Sequence, residues 1–404
     1  MKNSLFQSPS FLYYLSARFL ALCGNQMIAV ALGQYLYERT HNPLHLGYLG
    51  LSLFLPKILF TLLAGHVADQ YNRRDIIVIC RLLQFLIMGL IYVFYLQGFS
   101  PLSFIYILLF IMGAASTFDG PSGQSLLTQL IPEQSFAQAV TWNAWAMQMA
   151  FILSPVAAGF LYATTYSPRL CFQAILVLRL LSFLLAIGVK AKKLDTAKEK
   201  LSWSTVFAGL HFIWQKKILL GILSLDLFAV LLGGAVALIP IFANDILKIG
   251  PQGLGFLRAA PALGAASMSL FLAFREPIQK AGKSLFVAVG LFGFFTILFA
   301  LSTHFYLSLF CLFSLGASDM ISVVIRGVLV QTETPAQMRG RVSAVNLIFI
   351  NASNELGEFE SGATAAWFGV IPSVLLGGIG TLAVVALWSK FFPEMKNYGA
   401  LQKN

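Results

Sequence analysis

Apolar residues gather in long runs separated by short polar turns, and this pattern continues along the whole chain. Twelve of the runs approach the roughly twenty residues that a helix needs to cross a bilayer. They lie near 10–37, 44–67, 75–97, 101–128, 136–165, 169–190, 216–246, 251–274, 284–303, 305–331, 340–367 and 370–392. A β-barrel would instead show short alternating strands. Lipid leaves the helix as the other way to satisfy a spanning backbone. The pattern therefore predicts an all-α membrane protein with twelve transmembrane helices. One polar stretch is much longer than the rest, residues 190–217, which opens Lys190-Ala-Lys-Lys-Leu-Asp-Thr-Ala-Lys-Glu-Lys200. It separates six runs from six. The expected organisation is an N-terminal six-helix bundle over 1–190, a linker over 191–215 and a C-terminal six-helix bundle over 216–404. Within that stretch, Trp203 to Lys217 reads as a short amphipathic helix lying on the membrane surface.

The halves echo each other. Pro43-Leu-His-Leu46-Gly47-Tyr-Leu49 opens the second run, and Pro251-Gln-Gly-Leu254-Gly255-Phe-Leu257 opens the eighth, 208 residues later. Pro132-Glu-Gln134 with Asn143 and Gly159 is repeated 203 residues on as Pro335-Ala-Gln337 with Asn346 and Gly362. Similar offsets before the same numbered run of each half indicate a parallel duplication, so the bundles should be pseudo-symmetric.

Composition agrees with the pattern. The chain is 58% apolar and 11% charged, with 36 Phe and a mean hydropathy of +0.79, whereas a soluble domain is nearer a quarter charged. A net charge of +11 would suit nucleic acid, but its placement argues otherwise. With the N-terminus inside, 19 Lys and Arg fall at inner positions and only Arg39, Arg169 and Lys248 at outer ones. This is the positive-inside asymmetry, with both termini cytoplasmic and no nucleic-acid partner. The expected location is the inner (cytoplasmic) membrane, as a multi-pass protein. The first run carries Arg18, Asn25 and Gln26 and lacks a small-residue cleavage site, so no removable signal peptide is expected. Cys23, Cys80, Cys171 and Cys311 stand singly in apolar runs, without metal or redox spacing.

Ionisable residues inside the runs carry the candidate chemistry. A charge at the centre of a spanning helix costs roughly 2.5–3.5 kcal/mol on insertion scales. Yet Arg18, Lys57, Arg179, Arg258, Arg326, Asp119, Asp226, Asp319, Glu355, Glu358 and Glu360 all fall within spans. Most must face a cavity or one another. Arg18 and Asn25, nearly two turns apart, share a face with Gln26 beside them. They read either as a cavity wall for an anionic or polar substrate, or with Arg18 snorkelling to the headgroups. Asp119, in Asp119-Gly-Pro-Ser-Gly-Gln124, either carries a proton or braces Arg73 or Arg81, and its Pro and two Gly suggest a bend. Asp226 has apolar sequence neighbours. It is either a proton carrier or the partner of Arg258, Arg326 or Arg18. Asp319, Ser322 and Arg326 share a face, with Asp319 and Arg326 roughly 10 Å apart along the axis. Asn351, Asn354, Glu355, Glu358 and Ser361 form one stripe, from which Glu360 points away. Two carboxylates one turn apart resist joint ionisation, so the stripe either holds a proton or is a structural hydrogen-bond network. Lys57 is a carboxylate partner or a substrate contact. Arg179 reads as a snorkelling side chain without a role. No metal site is expected.

The turn between the second and third runs reads Gly65-His-Val-Ala-Asp69-Gln-Tyr-Asn-Arg73-Arg74. It resembles the loop signature of the major facilitator superfamily, G-x-x-x-D-x-x-x-R-R/K. Asn72 stands where that pattern usually has a second Gly, and Asn also adopts the left-handed turn conformation. Ser154-Pro155-Val-Ala-Ala-Gly159 resembles in part the family's antiporter signature, and small-residue helix packing explains it as well. Leu225-Asp226-Leu-Phe-Ala-Val230, Gly253-Leu-Gly-Phe-Leu-Arg258, Met338-Arg-Gly-Arg341 and Ser353-Asn-Glu355-Leu-Gly-Glu358 are similar to the branch holding enterobactin-type siderophore exporters. The resemblance implies the major facilitator fold, alternating access between two bundles, and a cavity lined mainly by spans 1, 4, 7 and 10. It implies proton drive, for which Asp226, Asp319, Glu355 and Glu358 are the candidates. The candidate residues of the substrate cavity are Arg18, Asn25, Gln26, Asp119, Asp226, Asp319 and Arg326. The resemblance makes Gly65, Asp69, Arg73, Arg74 and Arg341 a conformational latch. The expected activity is proton-coupled export of a siderophore or other small organic molecule, by a monomer without cofactors. A multidrug exporter, a siderophore or metabolite importer and a lysophospholipid flippase stay open. An enzyme or sensor finds no support: the chain has no phosphate-binding loop, no His-Glu-x-x-His and no triad.

Overall fold

The computed structural model describes residues 8–98, 101–131, 135–190, 210–274, 278–335 and 338–399. The long helices are α1 (Pro9–Thr40), α2 (Leu44–Gln70), α3 (Arg73–Leu96), α4 (Leu102–Leu130), α5 (Phe136–Thr165) and α6 (Arg169–Gly188). They continue with α7 (Lys217–Leu232), α8 (Gly250–Ala273), α9 (Ala281–Leu301), α10 (Phe305–Thr332), α11 (Arg339–Phe368) and α12 (Val370–Phe391). Counting α7 with its continuation to Ile246, eleven helices among the described residues are long and apolar enough to cross a membrane. The one left out is α11. Its 30 residues suffice in length, but Arg339, Arg341, Glu355, Glu358 and Glu360 make it too polar to read as a span by composition.

Burial runs opposite to that of a soluble protein. On α3, Ile79 is 65% and Leu86 55% exposed, while Arg81 and Gln84 are 3% and 2%. On α6, Val177, Leu180, Leu181 and Leu184 face outward, and Arg179 is buried. Apolar side chains outside and ion-bearing ones inside are stable where the surroundings are hydrocarbon.

The helices form two compact units, one of Met1–Tyr35 with Ser52–Leu201, the other of Leu36–Leu51 with Ser202–Asn404. In the first, Phe11, Tyr14, Ile77, Leu126, Leu127 and Val189 are part of one core cluster. In the second, Ile222, Leu225, Leu285, Phe286, Ile325 and Leu329 belong to another. Small residues let helices approach closely. A Cβ on Gly264 would lie 1.9 Å from the Phe313 carbonyl oxygen, and one on Gly316 would lie 2.0 Å from that of Pro261. The crossing of α8 with α10 therefore requires both glycines.

Two local readings are corrected. Asn72 is not left-handed: with φ −63° and ψ 114° it is the extended N-cap of α3, and its side chain accepts from the Arg74 amide at 3.1 Å. Capping a helix is the other use of a short polar side chain at a turn. The seventh span is not one helix. It stops at Leu232, passes through Gly233 and Gly234, and resumes as a 3-10 turn (Ala235–Leu238), a short helical turn (Ile239–Ile241) and a π turn (Phe242–Ile246). A Cβ at Gly234 would meet the Gly357 carbonyl at 2.3 Å, so the break lets α11 come against the backbone. Of the expected surface helix, residues 203–209 lie outside the described residues. Residues 210–215 are helical, with Ile213 buried among Leu219, Val330, Val342 and Val345 and with His211, Trp214 and Gln215 exposed.

Candidate functional site

In the first unit the polar side chains of α1, α3, α4 and α6 meet in one network. Arg81 on α3 donates to Ser182 Oγ at 2.9 Å, and its Nε lies 3.5 Å from Asp119 Oδ1 on α4. Asp119 thus braces Arg81, one of its two expected partners. Arg179 on α6 donates through Nη1 to Gln84 Oε1 at 2.6 Å and through Nη2 to Asn25 Oδ1. Gln84 passes the chain on, donating to Ser116 Oγ at 3.1 Å. Arg179 therefore does not snorkel: it is 1% exposed. Gly24 makes this possible, since a Cβ there would stand 3.1 Å from Arg179 Nε.

Arg18 is half-buried and donates to the Tyr14 hydroxyl at 3.1 Å, which itself donates to the Gly123 carbonyl at 2.9 Å. Gly123 is needed because a Cβ would come within 3.0 Å of Arg18 Nη1. So the Gly-Pro-Ser-Gly segment of α4 does present backbone to α1, while the helix itself stays continuous over Leu102–Leu130. Asn25 is exposed and Gln26 half-buried. Because Asn25 Oδ1 is taken by Arg179, the atoms it leaves to the exposed side are the amide N–H donors. The expected wall is thus partly rebuilt: Arg18 and Asn25 stay on one helix, but each is held by a different partner. Arg81 and Arg179 lie near one carboxylate, Asp119, and Arg18 reaches the same helix α4 through Tyr14. The Nε atoms of Arg18 and Arg179 have no hydrogen-bond partner.

The second unit has the opposite sign. Asp226 on α7, buried, forms an ion pair with buried Arg326 on α10. The structure thus places Arg326 on Asp226 across helices, and not on Asp319 of its own helix. Asp319 is half-buried and lines a small cavity together with Asp226, Ser318 and Ser322. Glu358 attracts Arg258 and lies against Gly50, where an added Cβ would meet its Oε2 at 2.9 Å. Glu355 is half-buried, and Asn354 is exposed and donates to the Ile350 carbonyl at 2.8 Å. Glu360 turns instead toward Ser361, at 3.5 Å. The stripe therefore runs from exposed Asn354 to buried Ser361, and the Asn351 side chain lies outside the described residues. Tyr37 donates to Asp245 of the π turn. Lys57 is half-buried.

At the expected latch, Arg73 donates to the Ala68 carbonyl at 3.3 Å and the Ser125 carbonyl at 3.4 Å. It caps carbonyls near the C-terminal ends of α2 and α4, where a cation is favoured. Arg74 pairs with Asp75 at 3.2 Å and donates to the Ile187 carbonyl. Gly65 is half-buried, and Arg341 is exposed with its guanidinium 3.7 Å from Met338 Sδ. The Asp69 side chain lies outside the described residues.

Sequence reasoning missed Tyr14, Gln84, Ser182 and Arg179's place. A signal was present: Arg81 and Gln84 are three residues apart on a helix whose other face is purely apolar. No group of three or more His, Cys, Asp or Glu side chains suited to a metal occurs among the described residues.

Comparison with known proteins decides the family. The Major Facilitator Superfamily model matches residues 14–357. The chain belongs to the major facilitator superfamily. It is a membrane transporter and not an enzyme. Among its relatives is the staphyloferrin A transporter of Staphylococcus aureus, 22% identical over 93% of this chain and 94% of that protein. The enterobactin exporter EntS of Shigella flexneri is 24% identical over 96% of this chain and 93% of that one. The siderophore-transporter branch read from the sequence is thereby borne out at low identity. A solved bacterial homologue of the human lysosomal transporter Spinster has a TM-score of 0.77 and 14% identity, covering 97% of this chain and 99% of that chain. That likeness supports the fold.

Proposed function

We propose that this chain is a proton-coupled exporter of a siderophore or other small anionic organic molecule, working by alternating access as a monomer. In this reading two six-helix bundles, residues 1–190 and 216–404, are joined by the linker 191–215 in an inner membrane, with both termini cytoplasmic. The observation that carries it is the separation of buried charge. The first unit has an excess of guanidinium, beside an amide whose donors face outward. The second unit buries carboxylates, one of them held in an ion pair. Siderophores carry carboxylate, catecholate or hydroxamate oxygens, which such donors match. Buried carboxylates are the usual proton carriers of transporters. The named relatives handle staphyloferrin A and enterobactin, which points the same way.

Arg18 and Asn25 receive the substrate, with Gln26 and Asp119 at the same wall. Asp226, Asp319 and Arg326, with Glu355 and Glu358, carry the coupling. In inverted vesicles an imposed pH gradient should drive accumulation of an iron-free siderophore, and a protonophore should abolish it. Accumulation unchanged by the protonophore would contradict the coupling.

Gly65, Asp69, Arg73, Arg74 and Arg341 govern the conformational cycle. The turn they centre on is two residues long, between α2 and α3, away from the helix centres. Asp69→Asn should slow transport about tenfold while substrate affinity stays within a few fold, since a latch acts on rates and not on ligand contacts. Transport rates and equilibrium binding measured on the same preparation check this. Lost binding with a normal turnover would reverse the assignment.

A further inference from the structure

The strongest unexplained feature is the small cavity inside the second unit. It lies against the last two turns of α7, before the Gly233–Gly234 break, and is lined by Asp226, Ala229, Val230, Ser318, Asp319 and Ser322. It offers about 10 Å³ to the centre of a water-sized particle, which is room for one water or one bare monovalent ion. Two independent observations concern its occupant. The first is charge. Asp226 is neutralised by Arg326, and Asp319 has no such partner among the described residues, so the cavity carries a net charge of one negative unit. The α9 wall adds only Ala288, Val289 and Phe292 and no counter-ion. The second is an orphaned hydroxyl. Ser322 is 3% exposed and its Oγ has no hydrogen-bond partner among the described residues. A serine oxygen buried that deeply is costly unless something meets it.

We propose that this cavity is a binding site for one small monovalent cation, Na⁺, held by Asp319, Ser322 Oγ and the second carboxylate oxygen of Asp226, in competition with the proton. A divalent ion would leave an uncompensated positive charge, whereas Na⁺ brings the cavity to neutrality. Oxygen donors suit a hard cation. The proposal rests on the carboxylate site of the proton-coupled reading and adds a second ion to it. Protonation of Asp319 removes the negative charge that attracts Na⁺, so binding weakens as pH falls. Charged groups on the packed helices are Asp226 of α7 and Arg326 of α10, already joined to each other, and Arg258 of α8, which is drawn to Glu358.

The test is thermal unfolding of the purified full-length protein in detergent, with NaCl against choline chloride and KCl at equal ionic strength, from pH 6 to pH 9. The expected result is a Na⁺-specific rise in melting temperature that grows with pH and saturates. It should vanish in Asp319→Asn. In Ser322→Ala the half-saturating Na⁺ concentration should rise on the order of tenfold, as for loss of one contact to a charged group. Should Asp319→Asn fail to fold, Ser322→Ala and competition of Na⁺ with protons in the wild type decide the matter alone. Equal responses to Na⁺, K⁺ and choline would overturn the proposal, as would a Na⁺ response unaltered in both variants. Transport driven by a pH gradient in Na⁺-free vesicles is the separate readout of proton coupling. Its loss or survival leaves the binding result unchanged.

Discussion

Arg326→Ala is expected to destabilise the protein by about 3–5 kcal/mol, because it strips the counter-charge from a buried carboxylate. Asp226 is 7% exposed and its neighbours Leu225 and Ala229 are buried and apolar. An unpaired charge there must be neutralised or the helix must move. The same logic predicts rescue. Asp226→Asn/Arg326→Gln leaves two neutral amides where two ions stood, and should recover most of the loss, since a buried pair contributes little net stability over a neutral replacement. The measurement is the thermal midpoint of wild type, Arg326→Ala and the double variant in detergent. A double variant no more stable than Arg326→Ala would show that the pair is not what holds α7 to α10. Transport is a separate outcome: the double variant should fold and lose gradient-driven accumulation.

Arg18→Ala should act on the substrate and not on the fold. It donates to the Tyr14 hydroxyl and is half-buried, so its removal leaves no charge stranded. Loss of one charged contact to an anionic oxygen costs about 1.5–3 kcal/mol, or roughly 10–100-fold in affinity. Arg179→Ala is the contrast, since it orphans Gln84 and Asn25 together and should impair folding first. A panel of labelled iron-free siderophores and cationic dyes in the same vesicles checks the pair. Dyes transported equally by wild type and Arg18→Ala, with siderophores refused by both, would favour a multidrug exporter.

The spans were legible because lipid imposes one rule on every one of them, and their ends fell within a few residues of the helices. What was not legible depended on partners far apart in sequence. The break at Gly233–Gly234 is invisible in an apolar run, because its cause is the approach of the α11 backbone at Gly357. Asp226 was open between a free proton carrier and an ion pair, and only the placement of α10 beside α7 selects Arg326. Arg179 looked idle because its network draws Asn25 and Gln84 from two other helices. Arg81 was one of two partners open to Asp119, and the placement of α3 beside α4 selects it over Arg73. Asn72 shows a local ambiguity: the same short amide serves a left-handed turn or an N-cap, and the Arg74 amide decided between them.

The most direct measurement is proton movement driven by substrate alone. The purified protein is reconstituted in Na⁺-free liposomes with a pH-sensitive dye inside, at equal pH on both sides, and an iron-free siderophore is added outside. Antiport predicts that entry of siderophore alkalinises the lumen as protons leave, and that Asp319→Asn abolishes the signal. Siderophore entry with no change in internal pH, or with acidification, would contradict proton-coupled export by this chain.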